Sequence, residues 1–185
     1  MPKEVETKFK VHSKSALKKK LERKGAIFIS RRLERDIYYK NPRLSGPEVI
    51  RLRETGHGGI FTIKKSTGKQ RSRIYKVRQE LETRIGNVKT FQKMMKELGF
   101  LPRFRKEKIR EAYTLEGCRI FLDKLPFIGE YLEIEASEAK IKKLAAVLGL
   151  DIKKATSQTY MSLFDHYKKR AKRSRLELVF NKNKK

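Results

Sequence analysis

Seven segments of the chain alternate apolar and charged side chains with a period of two. They lie at residues 4–11, 49–53, 60–64, 74–82, 108–115, 119–125 and 131–136. Because side chains at positions i and i+2 of a β-strand point to the same face, each segment predicts a strand with one apolar and one charged face. Turn-forming residues such as Asn41-Pro42 and Gly117 separate many of the segments. The pattern predicts an antiparallel β-sheet.

The charged faces of these predicted strands carry both acids and bases. Glu4, Glu6 and Lys8 share one face of the first segment. The corresponding faces of the others carry Arg51 and Arg53, Thr62 and Lys64, Lys76, Arg78, Glu80 and Glu82, Lys108 and Arg110, Arg119, Phe121 and Asp123, and Glu133 and Glu135. A half-buried sheet with its polar face in water is the ordinary explanation of one such strand. Repetition of the charges favours a closed sheet whose charged faces turn inward.

Charges enclosed by a sheet would repel one another unless a ligand neutralised them, which predicts a polyanionic ligand. Arg and Lys side chains suit phosphate oxygens, and carboxylates supply the oxygen ligands that Mg²⁺ and Mn²⁺ prefer. The chain has one cysteine, Cys118, and three histidines without metal-ligand spacing. Any metal would therefore be held by carboxylates rather than by thiols or imidazoles.

The helices are predicted from capping residues and apolar residues at helical spacing. Three segments begin with Ser or Asn and end at Gly: 13–25, 87–99 and 137–149. A fourth helix is predicted from about residue 157 to residue 167. We expect residues 1–168 to form one domain, followed by a basic tail at 169–185 that is disordered or loosely held.

The formal net charge of +27 would attract phosphates, nucleic acid or an anionic membrane surface. The last eighteen residues contain nine basic side chains and one acidic side chain, a net +8, so the rest of the chain carries +19. The N-terminus is charged where a signal peptide is apolar, and no apolar run approaches the ~20 residues that span a bilayer. We therefore expect a soluble, cytoplasmic protein without a membrane partner.

The motif Glu4-x-Glu6-x-Lys8 resembles the ExExK signature of the CYTH superfamily, the triphosphate tunnel metalloenzymes. The resemblance continues in order to about residue 165, through Asp36, Tyr38-Tyr39, Arg51-x-Arg53, Lys64, Arg78-x-Glu80-x-Glu82, Lys108-x-Arg110, Asp123 and Glu133-x-Glu135. It implies an α+β fold, with an eight-stranded antiparallel β-barrel surrounded by helices. It also implies dependence on a divalent metal, Mg²⁺ or Mn²⁺, and activity on triphosphates.

The resemblance also implies roles for individual residues. The metal ligands would be Glu4, Glu6, Glu82, Asp123, Glu133 and Glu135. The substrate phosphates would be bound by Lys8, Arg51, Arg53, Lys64, Lys76, Arg78, Lys108 and Arg110. The catalytic set would be Glu4, Glu6, Lys8, Arg51 and Arg53. Arg105, Lys106 and Lys108 crowd the strand before Arg110, so the register of that strand stays open, and a slip of one residue would turn these side chains outward.

Three functions are compatible with these residues. The first is metal-dependent hydrolysis of inorganic, nucleoside or thiamine triphosphate. The second is a class IV adenylate cyclase, which converts ATP to cyclic AMP and pyrophosphate on the same cradle. The third is a non-catalytic protein that binds RNA or polyphosphate through the basic surface and tail, although four glutamates in the groove would oppose this. A homodimer is also left open.

Overall fold

The computed structural model describes residues 3–43, 49–66, 72–172 and 177–180, and within them eight strands close into an antiparallel barrel. The strands are β1 (Lys3–Val11), β2 (Ile27–Lys40), β3 (Val49–Thr55), β4 (Gly58–Ser66), β5 (Lys76–Ile85), β6 (Leu101–Leu115), β7 (Cys118–Leu125) and β8 (Gly129–Glu135). Their order around the barrel is β1-β5-β4-β3-β2-β6-β7-β8. The predicted α+β barrel is confirmed.

In the described part of the chain, four α-helices accompany the barrel: α1 (Lys14–Arg23), α2 (Val88–Glu97), α3 (Glu138–Val147) and α4 (Tyr160–Arg170). A short 3₁₀ turn, Ile152–Lys154, follows α3. The first three helices begin as predicted, at side-chain caps supplied by Ser13, Asn87 and Ser137. The fourth begins three residues later than predicted because Thr159 is its cap. None of the helices described is long and apolar enough to cross a membrane.

The helices cover the apolar outer face of the barrel. α1 and α3 pack on β1, β7 and β8 through a cluster that includes Leu21, Ile120 and Ile141. α2 packs on β2 and β3 through a second cluster, with Leu52 and Met95 at its centre. The apolar side chains of the strands are buried on the outside of the barrel, against the helices. The alternate side chains of each strand therefore point into the interior.

Strand β2 is the one strand that the period-two pattern did not predict. Its first residues, Ile27, Phe28 and Ile29, are all apolar and all more than half exposed. An irregularity of register between Phe28 and Ser30 shifts the alternation at this point. Alternation returns further along the strand, where the buried side chains of Glu34 and Asp36 belong to the inner face.

The C-terminal tail is anchored where the structure describes it. Leu178 is fully buried, and its backbone bonds to Arg105 and Glu107 of β6. This docking is possible because β6 pairs with β7 only from Ile109 onward, which leaves the preceding edge of β6 available. The prediction of a disordered or loosely held tail is therefore wrong for residues 177–180. Residues 173–176 and 181–185 lie outside the described residues.

Candidate active site in the barrel interior

The barrel encloses a cavity of about 690 Å³ that is lined by side chains from all eight strands. Every predicted site residue lines it except Asp123, which is buried and bonded to Lys108 and Arg110. The register of β6 is also resolved, since Lys106, Lys108 and Arg110 are buried whereas Arg105 is exposed. The charged faces predicted from the sequence thus meet inside the barrel.

Strand register explains why the N-terminal motif lies at the centre of the site. On one side of β1, Glu6 lies opposite Glu135 and Lys8 opposite Glu133. On the other side, β1 pairs with β5, where Glu6 lies opposite Lys76. The motif therefore joins β8, which contributes acids, to β5, whose inner face carries the bases Lys76 and Arg78 followed by the acids Glu80 and Glu82.

Three carboxylates converge in a cluster formed by Glu4, Glu6 and Glu135. One oxygen of each lies within 4.8 Å of the others. Burial, followed by repulsion from Glu133 and Glu4, raises the pKa of Glu135 to about 9. Oxygen donors held this close despite their mutual repulsion fit a hard divalent cation, which would neutralise them. We call these residues the three-glutamate cluster.

Glu80 adjoins this cluster, although it was not among the predicted metal ligands. Burial and a hydrogen bond with Glu4 raise the pKa of Glu80 to about 7. Lys64 donates a hydrogen bond to Glu80 and lies 3.5 Å from Glu4. The sequence signal for Glu80 was its place on the charged face of β5.

The other predicted metal ligands lie outside the three-glutamate cluster and are engaged by other groups. Glu82 is 47% exposed and accepts hydrogen bonds from Arg51 and Thr62. Asp123 accepts hydrogen bonds from Lys108, Arg110 and Tyr160 at 2.6–3.0 Å. Glu133 pairs with Arg110 at 2.7 Å and with Lys8 at 3.1 Å.

Another part of the interior is a wall of buried ion pairs that the sequence analysis only partly predicted. Arg53 makes two hydrogen bonds to Asp36, at 2.7 and 3.1 Å, and lies 2.9 Å from Glu34. Lys106 lies 2.9 Å from Asp36, and Lys108 lies 3.5 Å from Glu34. Glu34 was missed because the alternating pattern of β2 is obscured at its start. Glu34 and Asp36 fix the orientation of cations that face the cavity.

Several cations of the cavity lack full compensation. The Arg51 Nε atom is buried without a hydrogen-bond partner among the described residues. Burial, followed by repulsion from Arg110, lowers the pKa of Lys108 to about 8. Burial also lowers the pKa of Lys76 to about 8, because repulsion from Lys8 and Arg78 adds to it and Glu6 offsets only part. An anion such as phosphate would supply the missing charge and hydrogen-bond acceptors.

Comparisons with known proteins agree with this architecture. The CYTH domain family matches residues 2–158. A protein of Methanocaldococcus jannaschii named "Putative adenylate cyclase" is 31% identical over 150 residues, covering 78% of this chain and 83% of that protein. A solved Pyrococcus horikoshii structure is 26% identical with a TM-score of 0.74, covering 86% of this chain and 98% of its own.

A more distant solved structure shares the fold alone. It comes from Hippeastrum, is described as a "putative adenylyl cyclase" with a dominant triphosphatase activity, and is 16% identical with a TM-score of 0.57. The likeness covers 90% of this chain and 96% of the Hippeastrum chain. Since the family match extends over most of the sequence and the barrel has the expected charged interior, the chain belongs to the CYTH domain family.

Proposed function

We propose that this protein hydrolyses a triphosphate-bearing substrate inside the barrel with the help of Mg²⁺ or Mn²⁺. The observation that carries the proposal is the three-glutamate cluster, in which carboxylate oxygens within 4.8 Å of one another share a cavity with incompletely compensated cations. A triphosphate with its metal would satisfy both halves of this site. The proposal also agrees with the divalent-metal dependence of triphosphate tunnel enzymes.

The acidic half would hold the metal. Glu4, Glu6 and Glu135 would be its ligands, with Glu80 adjacent. A bound divalent cation would supply positive charge to substrate phosphate oxygens and lower the pKa of an attacking water. Because the pKa of Glu135 is raised to about 9, this carboxyl would hold a proton at neutral pH, and binding of a metal there would release that proton.

The basic half would bind and orient the phosphates. Arg53 and Arg110 are fixed by carboxylates at 2.6–2.7 Å, so their guanidinium groups are oriented before a substrate arrives. Arg51 also lines the cavity, and further donors around it come from Lys8, Lys64, Lys76, Arg78 and Lys108. Such preorganised cations stabilise charge that develops during phosphoryl transfer, and hydrolysis by water requires no protein nucleophile.

A substrate panel tests the proposal. Purified protein is incubated with inorganic triphosphate, nucleoside triphosphates and thiamine triphosphate, each with Mg²⁺ and with Mn²⁺, and released phosphate is measured beside cyclic AMP. We expect metal-dependent phosphate release from at least one of these substrates. Tight binding of RNA or polyphosphate without any turnover would contradict hydrolysis and support a binding protein.

Adenylate cyclisation is the second candidate, and the name of the Methanocaldococcus relative favours it. The same cradle would hold ATP, but the ribose 3′-hydroxyl would attack and pyrophosphate would leave. The Hippeastrum neighbour illustrates that a barrel of this fold named as a cyclase has a dominant triphosphatase activity. Cyclic AMP and pyrophosphate formed in equal amounts from ATP would decide for the cyclase.

A further inference from the structure

Lys106 is a cation of the cavity that the sequence analysis did not assign to the substrate. Its buried side chain lines the cavity on the inner face of β6, two residues before Lys108. The ammonium group of Lys106 lies 2.9 Å from Asp36. Although burial opposes its charge, attraction to Asp36 raises the pKa of Lys106. The group is therefore a fixed positive charge at the cavity wall at neutral pH.

Asp36 does not neutralise Lys106 fully, because it also binds Arg53. Arg53 donates hydrogen bonds to both carboxylate oxygens of Asp36, at 2.7 and 3.1 Å. One negative charge is therefore shared by two cations. Among the described residues, Asp36 is the only ion-pair partner of Lys106. An ammonium group has three hydrogen-bond donors, so Lys106 can bind a further acceptor that enters the cavity.

Three ammonium groups of the cavity gather around one aromatic ring. Those of Lys8, Lys108 and Lys106 lie 5.3, 5.5 and 5.7 Å from the centroid of the Tyr160 ring. All three lysines line the cavity. A bound anion would offset the repulsion between these cations, and phosphate oxygens are strong acceptors for ammonium groups. This part of the cavity therefore suits a phosphate group, with Lys106 as one of its donors.

The backbone on both sides of Lys106 is held by the C-terminal tail. The amide of Glu107 donates a hydrogen bond to the carbonyl of Leu178 at 2.7 Å, and the amide of Leu178 donates one to the carbonyl of Arg105 at 3.2 Å. Leu178 therefore lies parallel to β6 directly beside Lys106. We call residues 177–180 the tail segment.

The tail segment takes the place of a strand at this edge of β6. Within the described part of the chain, β6 pairs with β7 only from Ile109 onward, so the tail segment is the neighbour of β6 at Lys106. The side chain of Leu178 is fully buried in the cluster that contains Tyr160. The tail segment thus ties the backbone of Lys106 to the aromatic ring near its ammonium group.

We propose that Lys106 is a further phosphate-binding residue of the cavity and that the tail segment is a positioning element for it. The inference rests on the proposed function and adds a donor for the same class of substrate. The tail segment itself does not line the cavity. It acts through the backbone of β6 and the packing of Leu178 on Tyr160, which together fix where the ammonium group lies.

Calorimetry with inorganic triphosphate tests the role of Lys106, without added metal so that no turnover occurs. Lys106→Met should weaken binding about tenfold or more, because a hydrogen bond between charged groups is lost. Lys106→Arg, which keeps the charge, should retain more of the affinity. Arg105→Met is the matched control, because it removes the same charge from the next residue, whose side chain is exposed. No loss in Lys106→Met, or an equal loss in Arg105→Met, would overturn the inference.

A double-mutant cycle tests the tail segment. Leu178→Ala should weaken binding of inorganic triphosphate several-fold in the wild-type background and should lose most of this effect in the Lys106→Met background, since the two sites are coupled. Leu148→Ala is the matched control, because Leu148 is equally buried but belongs to the cluster under α1 and α3. It should lower stability without changing the affinity. If Leu178→Ala does not fold, Leu178→Val replaces it.

The outcomes distinguish this inference from the proposed function. A Leu178 effect of the same size in both backgrounds, or an equal effect of Leu148→Ala, would refute the positioning role of the tail segment. Absence of phosphate release with Mg²⁺ and Mn²⁺ would refute hydrolysis, whereas the affinities measured without metal would still decide the role of Lys106.

Discussion

Replacing Glu135 by Gln should stabilise the metal-free protein at pH 7. The folded protein raises the pKa of Glu135 to about 9, against an ordinary value of 4.5. Glu135 holds its proton more tightly in the folded protein than in the unfolded chain. Its contribution to stability is therefore complete below the pKa of the unfolded chain, and it is lost as the pH rises through the pKa of the folded protein. From pH 4.5 to pH 7 this loss amounts to about 1.4 kcal/mol per pH unit, or about 3 kcal/mol in total as an upper estimate.

Gln has nearly the shape of protonated Glu but cannot ionise, so Glu135→Gln should recover much of this stability. Glu133→Gln is the matched control, because Glu133 is buried two residues away on the same strand. Although burial opposes its ionisation, attraction to Lys8 and Arg110 holds the pKa of Glu133 well below its ordinary value. Removing one partner of such buried pairs is destabilising by about 3–5 kcal/mol. The two substitutions should therefore change stability in opposite directions.

Urea denaturation and thermal unfolding, followed at pH 5, 7 and 8 without metal, measure the effect. For Glu135→Gln we expect the gain relative to wild type to increase with pH, and to raise Tm by several degrees at pH 7, since about 1 kcal/mol corresponds to about 2–4 °C in a chain of this size. Added Mg²⁺ or Mn²⁺ should stabilise the wild type more than the variant. A pH-independent loss of stability in Glu135→Gln would refute the reasoning.

Three further predictions concern other parts of the site. Arg51→Ala should lower turnover of the substrate by about 10²-fold. Arg51→Lys should retain only part of the wild-type turnover, since lysine lacks the guanidinium fork. Arg31→Ala is the control, because Arg31 lies on the outer face beside Glu111, and its turnover should remain near wild type. Binding of inorganic triphosphate should weaken above pH 8, because Lys108, whose pKa is lowered to about 8, loses its charge there; calorimetry that shows no such loss would contradict this. Truncation after residue 172 removes the buried Leu178 and should cost about 2–5 kcal/mol of stability, whereas an unchanged denaturation midpoint would show that its docking on β6 is dispensable.

The sequence predicted the inner faces of seven strands because alternation reports which side chains share a face, whatever the other strands do. Glu4, Glu6 and Lys8 were placed together on this ground, as were Arg51 and Arg53, and in the structure all of these side chains line the cavity. The repeated charge favoured a closed sheet, but the eight-stranded barrel was predicted from the resemblance to the CYTH superfamily.

Alternation does not report how strands are offset around a barrel. Glu80 and Glu82 share a face of β5, and the choice between them as the neighbour of Glu4 depends on the shear of the closed sheet. The structure places Glu80 beside Glu4, whereas Glu82 lies beside Arg51. The position of Tyr160 was also inaccessible, because it depends on where α4 docks after the chain has left the barrel.

The interior charges divide into two groups with different requirements. Asp36 and Asp123 are each surrounded by cations at hydrogen-bond distance, so these parts of the wall are compensated within the protein. The three-glutamate cluster is compensated only in part: Lys8 and Lys76 pair with Glu6, whereas the pKa of Glu135 is strongly raised although Arg119 lies 2.7 Å away. The Arg51 Nε atom lacks an acceptor among the described residues. Buried groups left in this state cost stability. A cavity that combines closely spaced carboxylates with incompletely paired cations therefore suits a ligand that carries both signs, which is the reason for the metal-bound triphosphate proposed above.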